Sequence, residues 1–138
     1  MIIGYTTGVF DLFHIGHVNL LRNAKSLCDK LIVGVTSDEL VSYKSKKAVI
    51  PFHERIEIVR SCIHVDIAIP QNELDKFKAW EKIRFDILFV GDDWFMQDRW
   101  ITLEDKFKEN KVRIIYFPYT EGTSSTLINS TLLKLRDE

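Results

Sequence analysis

At 138 residues, the chain has the length of one ordinary domain, and its 46% hydrophobic content is enough to bury a sizeable core. A formal net charge of -1 excludes the bulk basic field that nucleic-acid binders usually carry. No apolar run approaches the ~20 residues needed to span a bilayer, and Met1–Tyr5 lacks the pattern of a signal peptide, so the expected location is the cytosol. Cys28 and Cys62 have no C-x-x-C spacing and read as buried structural thiols rather than a disulfide.

Short runs rich in Ile, Val and Phe alternate with longer amphipathic stretches. Ile2 to Thr7 is the first predicted strand, and Val18 to Leu27 follows as a helix through Val18, Leu21, Ala24 and Leu27. Leu31 to Thr36 is the second strand. After the basic stretch Lys44-Ser45-Lys46-Lys47, Pro51 precedes a helix predicted over Phe52 to Ile63. The third strand is Val65 to Ile69, followed by a helix over Asp75 to Ile83 and a fourth strand over Ile87 to Val90. A helix over Leu103 to Glu109, a strand over Val112 to Phe117 and a helix over Thr126 to Leu135 complete the series. Near-continuous apolar strands alternating with helices predict strands buried on both faces. The expected fold is therefore α/β: one domain over 1–138, a Rossmann-like doubly wound five-stranded parallel sheet with helices on both faces.

Ligands of such sheets bind at the carboxyl ends of the strands. There the first strand runs into Thr7-Gly8-Val9-Phe10-Asp11-Leu12-Phe13-His14-Ile15-Gly16-His17 and then into a helix. Gly8 permits a tight turn and close approach of a ligand to the backbone. His14 and His17 stand three apart on a first helical turn, where free N–H groups and the helix dipole suit phosphate. Gly16 leaves that approach uncrowded. Two imidazoles there can donate to a triphosphate as charge builds on its leaving group. The alternatives are plain helix capping, or a metal site, for which Asp11 is the one nearby third ligand. The hydroxyl run Thr123-Ser124-Ser125-Thr126 opens the last helix, where it serves as a cap or as a second anion site. Asp92 and Asp93 suit Mg²⁺, a ribose or an acceptor, or stand as solvated acids; Trp94 packs or meets a ligand. The lysine cluster alone reads as solvated surface.

The segment from Gly8 to His17 resembles the nucleotide-binding motif of the H-x-G-H nucleotidyltransferase superfamily, and in particular its small cytidylyltransferases. Gly91-Asp92-Asp93-Trp94 is similar to a segment typical of glycerol-3-phosphate cytidylyltransferases, and Thr120-Glu121-Gly122-Thr123-Ser124-Ser125-Thr126 resembles the T-E-G-I-S-T-T stretch of that family. The resemblance implies that His14, His17, Lys44 and Lys46 are catalytic. It implies nucleotide contacts from Gly8, Val9, Phe10, Gly16, Arg55, Tyr119, Thr120, Glu121, Gly122, Ser124, Ser125 and Thr126. Lys44, Asp92, Asp93 and Trp94 are the implied acceptor residues. From its residues alone, Arg55 reads as a helix-surface group paired with Glu54 or Glu57.

Two positions depart from the family. Tyr119 stands where an arginine precedes T-E-G, and Ile63-His64-Val65-Asp66 replaces an R-Y-V-D stretch. Losing two guanidinium charges weakens an electrostatic clamp, with Arg60 or Arg99 as candidate replacements. The resulting expectation is a cytosolic, homodimeric enzyme that transfers CMP from CTP to a phosphorylated alcohol, best glycerol 3-phosphate. Mg²⁺ would be held through the triphosphate. Alternatives are ATP, a sugar phosphate, choline phosphate or flavin precursor as substrate, or a nucleotide sensor that does not catalyse. Trp80, Phe95 and Trp100 read as subunit contact surface or as core.

Overall fold

The computed structural model describes residues 1–43, 47–91, 98–118 and 125–137. Five strands, β1 (Ile3–Gly8), β2 (Lys30–Thr36), β3 (Ile67–Gln71), β4 (Ile87–Gly91) and β5 (Arg113–Phe117), form one sheet in the order β3-β2-β1-β4-β5. Every pairing is parallel. The helices are α1 (Ile15–Ser26), α2 (Asp38–Tyr43), α3 (Phe52–Arg60), α4 (Lys76–Ile83), α5 (Asp98–Glu109) and α6 (Ser125–Asp137). The predicted architecture is the one observed.

Alternation along the strands builds two cores. Leu31, Val33 and Val35 of β2 and Ile87 and Phe89 of β4 face one side, where Leu21 and Ala24 of α1 and Ile56 and Val59 of α3 cover them. Tyr5, Ile32 and Leu88 face the other side, against Phe77 and Trp80 of α4 and Trp100 and Phe107 of α5. Both faces of the central strands are thus removed from water, which is why those strands are apolar without a polar alternation. Trp100 is core, and Trp80 is half-buried with its indole N–H donated to the Phe85 carbonyl. The thiols of Cys28 and Cys62 are free and only half-buried.

Element boundaries moved where side chains intervene. β3 begins at Ile67, two residues later than predicted, because the Val65 N–H closes a turn onto the Cys62 carbonyl. The Asp66 carboxylate instead accepts from the Leu31 N–H at 2.7 Å and from Lys25 at 2.8 Å, fixing the start of that strand against β2. Pro70 is tolerated in β3 because this is an edge strand, paired with β2 alone. Helix α3 stops at Arg60, where Ser61 caps it, rather than reaching Ile63. The opposite end of β1 is tied by two carboxylates: Asp29 accepts from the Ile2 N–H at 2.6 Å and Asp86 from the Ile3 N–H at 2.8 Å. β1 is therefore anchored at its start and central in the sheet. Its carboxyl end lies next to that of β4, where the strand order reverses.

Candidate active site

β1 ends at Gly8, and the chain turns through Val9 to Phe13 before α1 begins. Phe10 and Leu12 sit at φ 54° and 50°, the left-handed region that costs a non-glycine residue about 1–2 kcal/mol. Contacts from Arg55 to Val9 and from Val49 and Ile50 to Asp11 hold this turn in its strained form. The Phe10 side chain is buried in the core and meets the His17 ring edge-on at 5.3 Å between centroids. A Cβ on Gly8 would come within 3.0 Å of the Phe10 ring, so glycine is what lets the ring lie there. The Asp11 carboxylate accepts from the backbone N–H groups of Val49 at 2.8 Å and Ile50 at 2.9 Å. That carboxylate is a brace between this turn and the segment leading to α3.

His14 and His17 exchange hydrogen bonds with each other's helix start. The Gly16 N–H donates to His14 Nδ1 at 3.0 Å, and the His14 N–H donates to His17 Nδ1 at 3.1 Å, a reciprocal capping box built from two histidines. The capping expected of a helix start is present, and it leaves the Nε2 side of both rings unused by it. Each Nδ1 accepts, so each ring is neutral and carries its proton on Nε2. The rings lie 3.9 Å apart, and Phe13 stacks on His17 at 5.3 Å. Burial lowers the pKa of both, and that of His17 falls to about 4, with neighbouring His14 adding to the drop and Asp11 opposing it. The site therefore holds two neutral N–H donors at a helix N-terminus at physiological pH.

Arg55 is not on the helix surface. It is 0% exposed, and its guanidinium donates to the carbonyls of Ile50 (2.8 Å), Val9 (2.7 Å) and Thr36 (2.8 Å) and to Asp38 Oδ1 (2.7 Å). Its acidic partner is Asp38 rather than Glu54 or Glu57; Glu57 pairs with Arg60 instead. The Phe52 N–H and then Arg55 hold the Asp38 carboxyl below its ordinary range. Arg60, once a candidate substitute for the missing arginines, is exposed on α3 and engaged with Glu57. The Arg99 side chain lies outside the described residues.

A cavity of about 670 Å³ opens over the carboxyl ends of β1, β2, β3 and β4. Thr7 and Gly8, Thr36, Gln71 and Gly91 come from the strand ends, and Lys76 and Trp100 from α4 and α5. Lys76 Nζ donates to the Thr7 hydroxyl at 2.6 Å, and the buried Thr36 hydroxyl donates to Gln71 Oε1 at 2.6 Å. Gln71 in turn donates to the Glu73 carbonyl at 3.2 Å, so its amide orientation is set.

The structure thus brings together Gly8, Val9, Phe10, Asp11, His14, Gly16, His17 and Arg55. Lys44, Lys46, Asp92, Asp93, Trp94, Tyr119, Thr120, Glu121, Gly122 and Ser124 lie outside the described residues. Ser125 and Thr126 open α6 in backbone only. Among the described residues no cluster of three His, Cys, Asp or Glu could hold a metal ion, and Asp11 spends its carboxylate on two amides. Sequence reasoning missed Asp38, Gln71 and Lys76. Gln71 ends β3, while Asp38 and Lys76 open the helices that follow β2 and β3; Asp75-Lys76 reads first as a helix start, and Asp75 does cap α4.

Comparison with known proteins agrees with this geometry. A family model described as cytidylyltransferase-like matches residues 5–136. Glycerol-3-phosphate cytidylyltransferase of Bacillus subtilis is 37% identical over 131 residues, 94% of this chain and 96% of that protein. FAD synthase of Ferroglobus placidus is 36% identical over 79% of this chain and 71% of its own length. Among solved structures, the lipopolysaccharide core biosynthesis protein from Thermoplasma volcanium superposes with a TM-score of 0.73 at 27% identity, covering 89% of this chain and 99% of that one. With its strand-end cavity and paired histidines, the chain belongs to the cytidylyltransferase-like family and is a nucleotidyltransferase.

Proposed function

We propose that the enzyme transfers CMP from CTP to a phosphorylated alcohol, with glycerol 3-phosphate as acceptor, giving CDP-glycerol and pyrophosphate. The observation that carries this reading is the histidine capping box at the end of β1, whose geometry leaves both Nε2–H groups as donors. The near full-length similarity to glycerol-3-phosphate cytidylyltransferases supports the choice of substrates.

In this reaction an oxygen of the acceptor phosphate attacks the α-phosphorus of CTP. A new P–O bond forms while the bond to the β-phosphate oxygen breaks, and that oxygen leaves with the pyrophosphate. A phosphate oxygen is already nucleophilic, so no general base is required, and catalysis is positioning plus charge stabilisation. His14 and His17 donate from Nε2 to the phosphate oxygens on which negative charge accumulates. Lys44 and Lys46 neutralise the same anion. Lys76, at the cavity wall, supplies a cation on the acceptor's side, and its bond to Thr7 holds it at the end of β1. A divalent ion, typical of the chemistry, would arrive on the triphosphate, since Mg²⁺ is usually held through substrate phosphates and few carboxylates.

Incubation of the protein with CTP, Mg²⁺ and glycerol 3-phosphate, followed by ³¹P NMR, tests this reading. The expected spectrum gains the pyrophosphate diester of CDP-glycerol and free pyrophosphate in equal amounts. The similarity to FAD synthases makes ATP with a flavin precursor the second reading. Product from ATP and none from CTP would transfer the assignment to it.

A further inference from the structure

We propose that Arg55 is a positioning residue for the nucleotide: it fixes the direction of the Val9–Phe10 peptide and touches no atom of the nucleotide itself. The inference rests on the reading above only in that the β1–α1 turn holds a triphosphate. A guanidinium has five N–H donors in a rigid fork. In Arg55, Nε serves the Ile50 carbonyl, Nη1 serves both the Val9 and Thr36 carbonyls, and Nη2 serves Asp38. The residue is 0% exposed, so a phosphate could reach this fork only by displacing buried bonds. Family resemblance points to direct contact; the geometry points elsewhere.

What Arg55 does reach is the backbone of the strained turn. The Val9–Phe10 peptide is trans, as are all peptide bonds described, so its C=O and N–H point in opposite directions. Arg55 takes the carbonyl at 2.7 Å, and the Phe10 N–H is thereby aimed away from the guanidinium. Among the described residues that N–H has no hydrogen-bond partner. It is a donor held in place by a residue at the far end of its own peptide plane. The second Nη1 bond, to Thr36, ties the end of β2 to the same fork, and the Nε bond to Ile50 ties in the segment that Asp11 also grips. Asp38 orients the fork from outside, with a side chain 53% exposed.

Positioning and direct contact predict opposite effects of Asp38→Asn. If Arg55 bound phosphate, removing the neighbouring carboxylate would free its charge and leave CTP affinity equal or tighter. If Arg55 positions the peptide, loosening the fork weakens CTP binding. Isothermal titration with CTP and Mg²⁺, without acceptor, compares wild type, Asp38→Asn and Arg55→Lys, alongside steady-state pyrophosphate release. The expected result is a Kd for CTP raised about tenfold or more in both variants, with the KM for glycerol 3-phosphate within twofold of wild type. Equal or tighter CTP binding by Asp38→Asn would overturn the proposal. So would a parallel rise in both constants, the mark of general loosening. Should Asp38→Asn fail to fold, Arg55→Lys carries the same comparison of the two constants, and a nucleotide-bound crystal structure of wild type gives the separate reading. There the four bonds are expected intact, and a guanidinium nitrogen within hydrogen-bond distance of a phosphate would contradict it. Because the titration uses CTP alone, a wild type that binds CTP but does not turn over glycerol 3-phosphate counts against the functional reading and not against Arg55.

Discussion

His14 and His17 show how backbone hydrogen bonds decide the protonation state of an imidazole at a candidate site. An imidazole whose Nδ1 accepts a main-chain N–H cannot take a proton there without losing that bond, and burial raises the cost further. His17 ordinarily takes a proton near 6.5, but the folded protein delays this to about 4. The unfolded chain therefore binds the proton first as pH falls. Stability linked to His17 is fully present above about 6.5 and is lost as pH drops through the window down to about 4. Ring-proton NMR of the ligand-free protein is expected to leave His17 untitrated from pH 8 to pH 5.5. A midpoint near the ordinary value would mean that its Nδ1 bond is not present in solution. Lys76 gives a second test at this scale. Its substitution by Met removes the cavity-wall cation that bonds Thr7 and is expected to raise the KM for glycerol 3-phosphate about tenfold or more with little change in that for CTP. Steady-state kinetics with each substrate varied in turn reads this, and a change confined to CTP would place Lys76 on the nucleotide instead.

Strands and helices were legible where one residue property dominated. Apolar runs located all five strands because each packs apolar side chains against one core or both, and the H-x-G-H segment marked the end of β1. What stayed hidden was carried by side chains acting across long sequence separations. Asp66 pins the start of β3 to β2 by bonding Leu31, and Arg55 leaves the α3 surface to gather carbonyls from Val9, Thr36 and Ile50. Neither pairing has a local signature, and α2 is a six-residue helix too short to show a periodicity. Glycine in the sheet centre gives a further test of packing between β1 and β2. A Cβ on Gly34 would stand 2.6 Å from the Tyr5 hydroxyl and 3.1 Å from the Thr7 methyl group. Gly34→Ala is therefore expected to destabilise the protein by about 1–3 kcal/mol through overpacking. Urea unfolding should show a lower midpoint at unchanged slope; an unshifted midpoint would show that Tyr5 yields without cost.

The sheet order places the reversal between β1 and β4, and the cavity sits over the strand ends around it. The candidate site thus lies at the carboxyl ends of the strands of a fold whose two cores are closed by α1 and α3 on one face and α4 and α5 on the other. A ligand that binds there stabilises the whole domain by mass action, about 2.7 kcal/mol at a hundredfold excess over Kd. Thermal unfolding is expected to rise with CTP and Mg²⁺ and to rise much less with ATP at equal concentration. The reverse order would favour the adenylyl reading. The assignment as a whole turns on whether the paired histidines drive phosphoryl chemistry. Pyrophosphate release from CTP and glycerol 3-phosphate, compared between wild type and His17→Ala at matched circular dichroism, answers that. Turnover is expected to fall by about 10²–10³ in the variant with the fold intact, and near-wild-type release by His17→Ala would contradict the assignment.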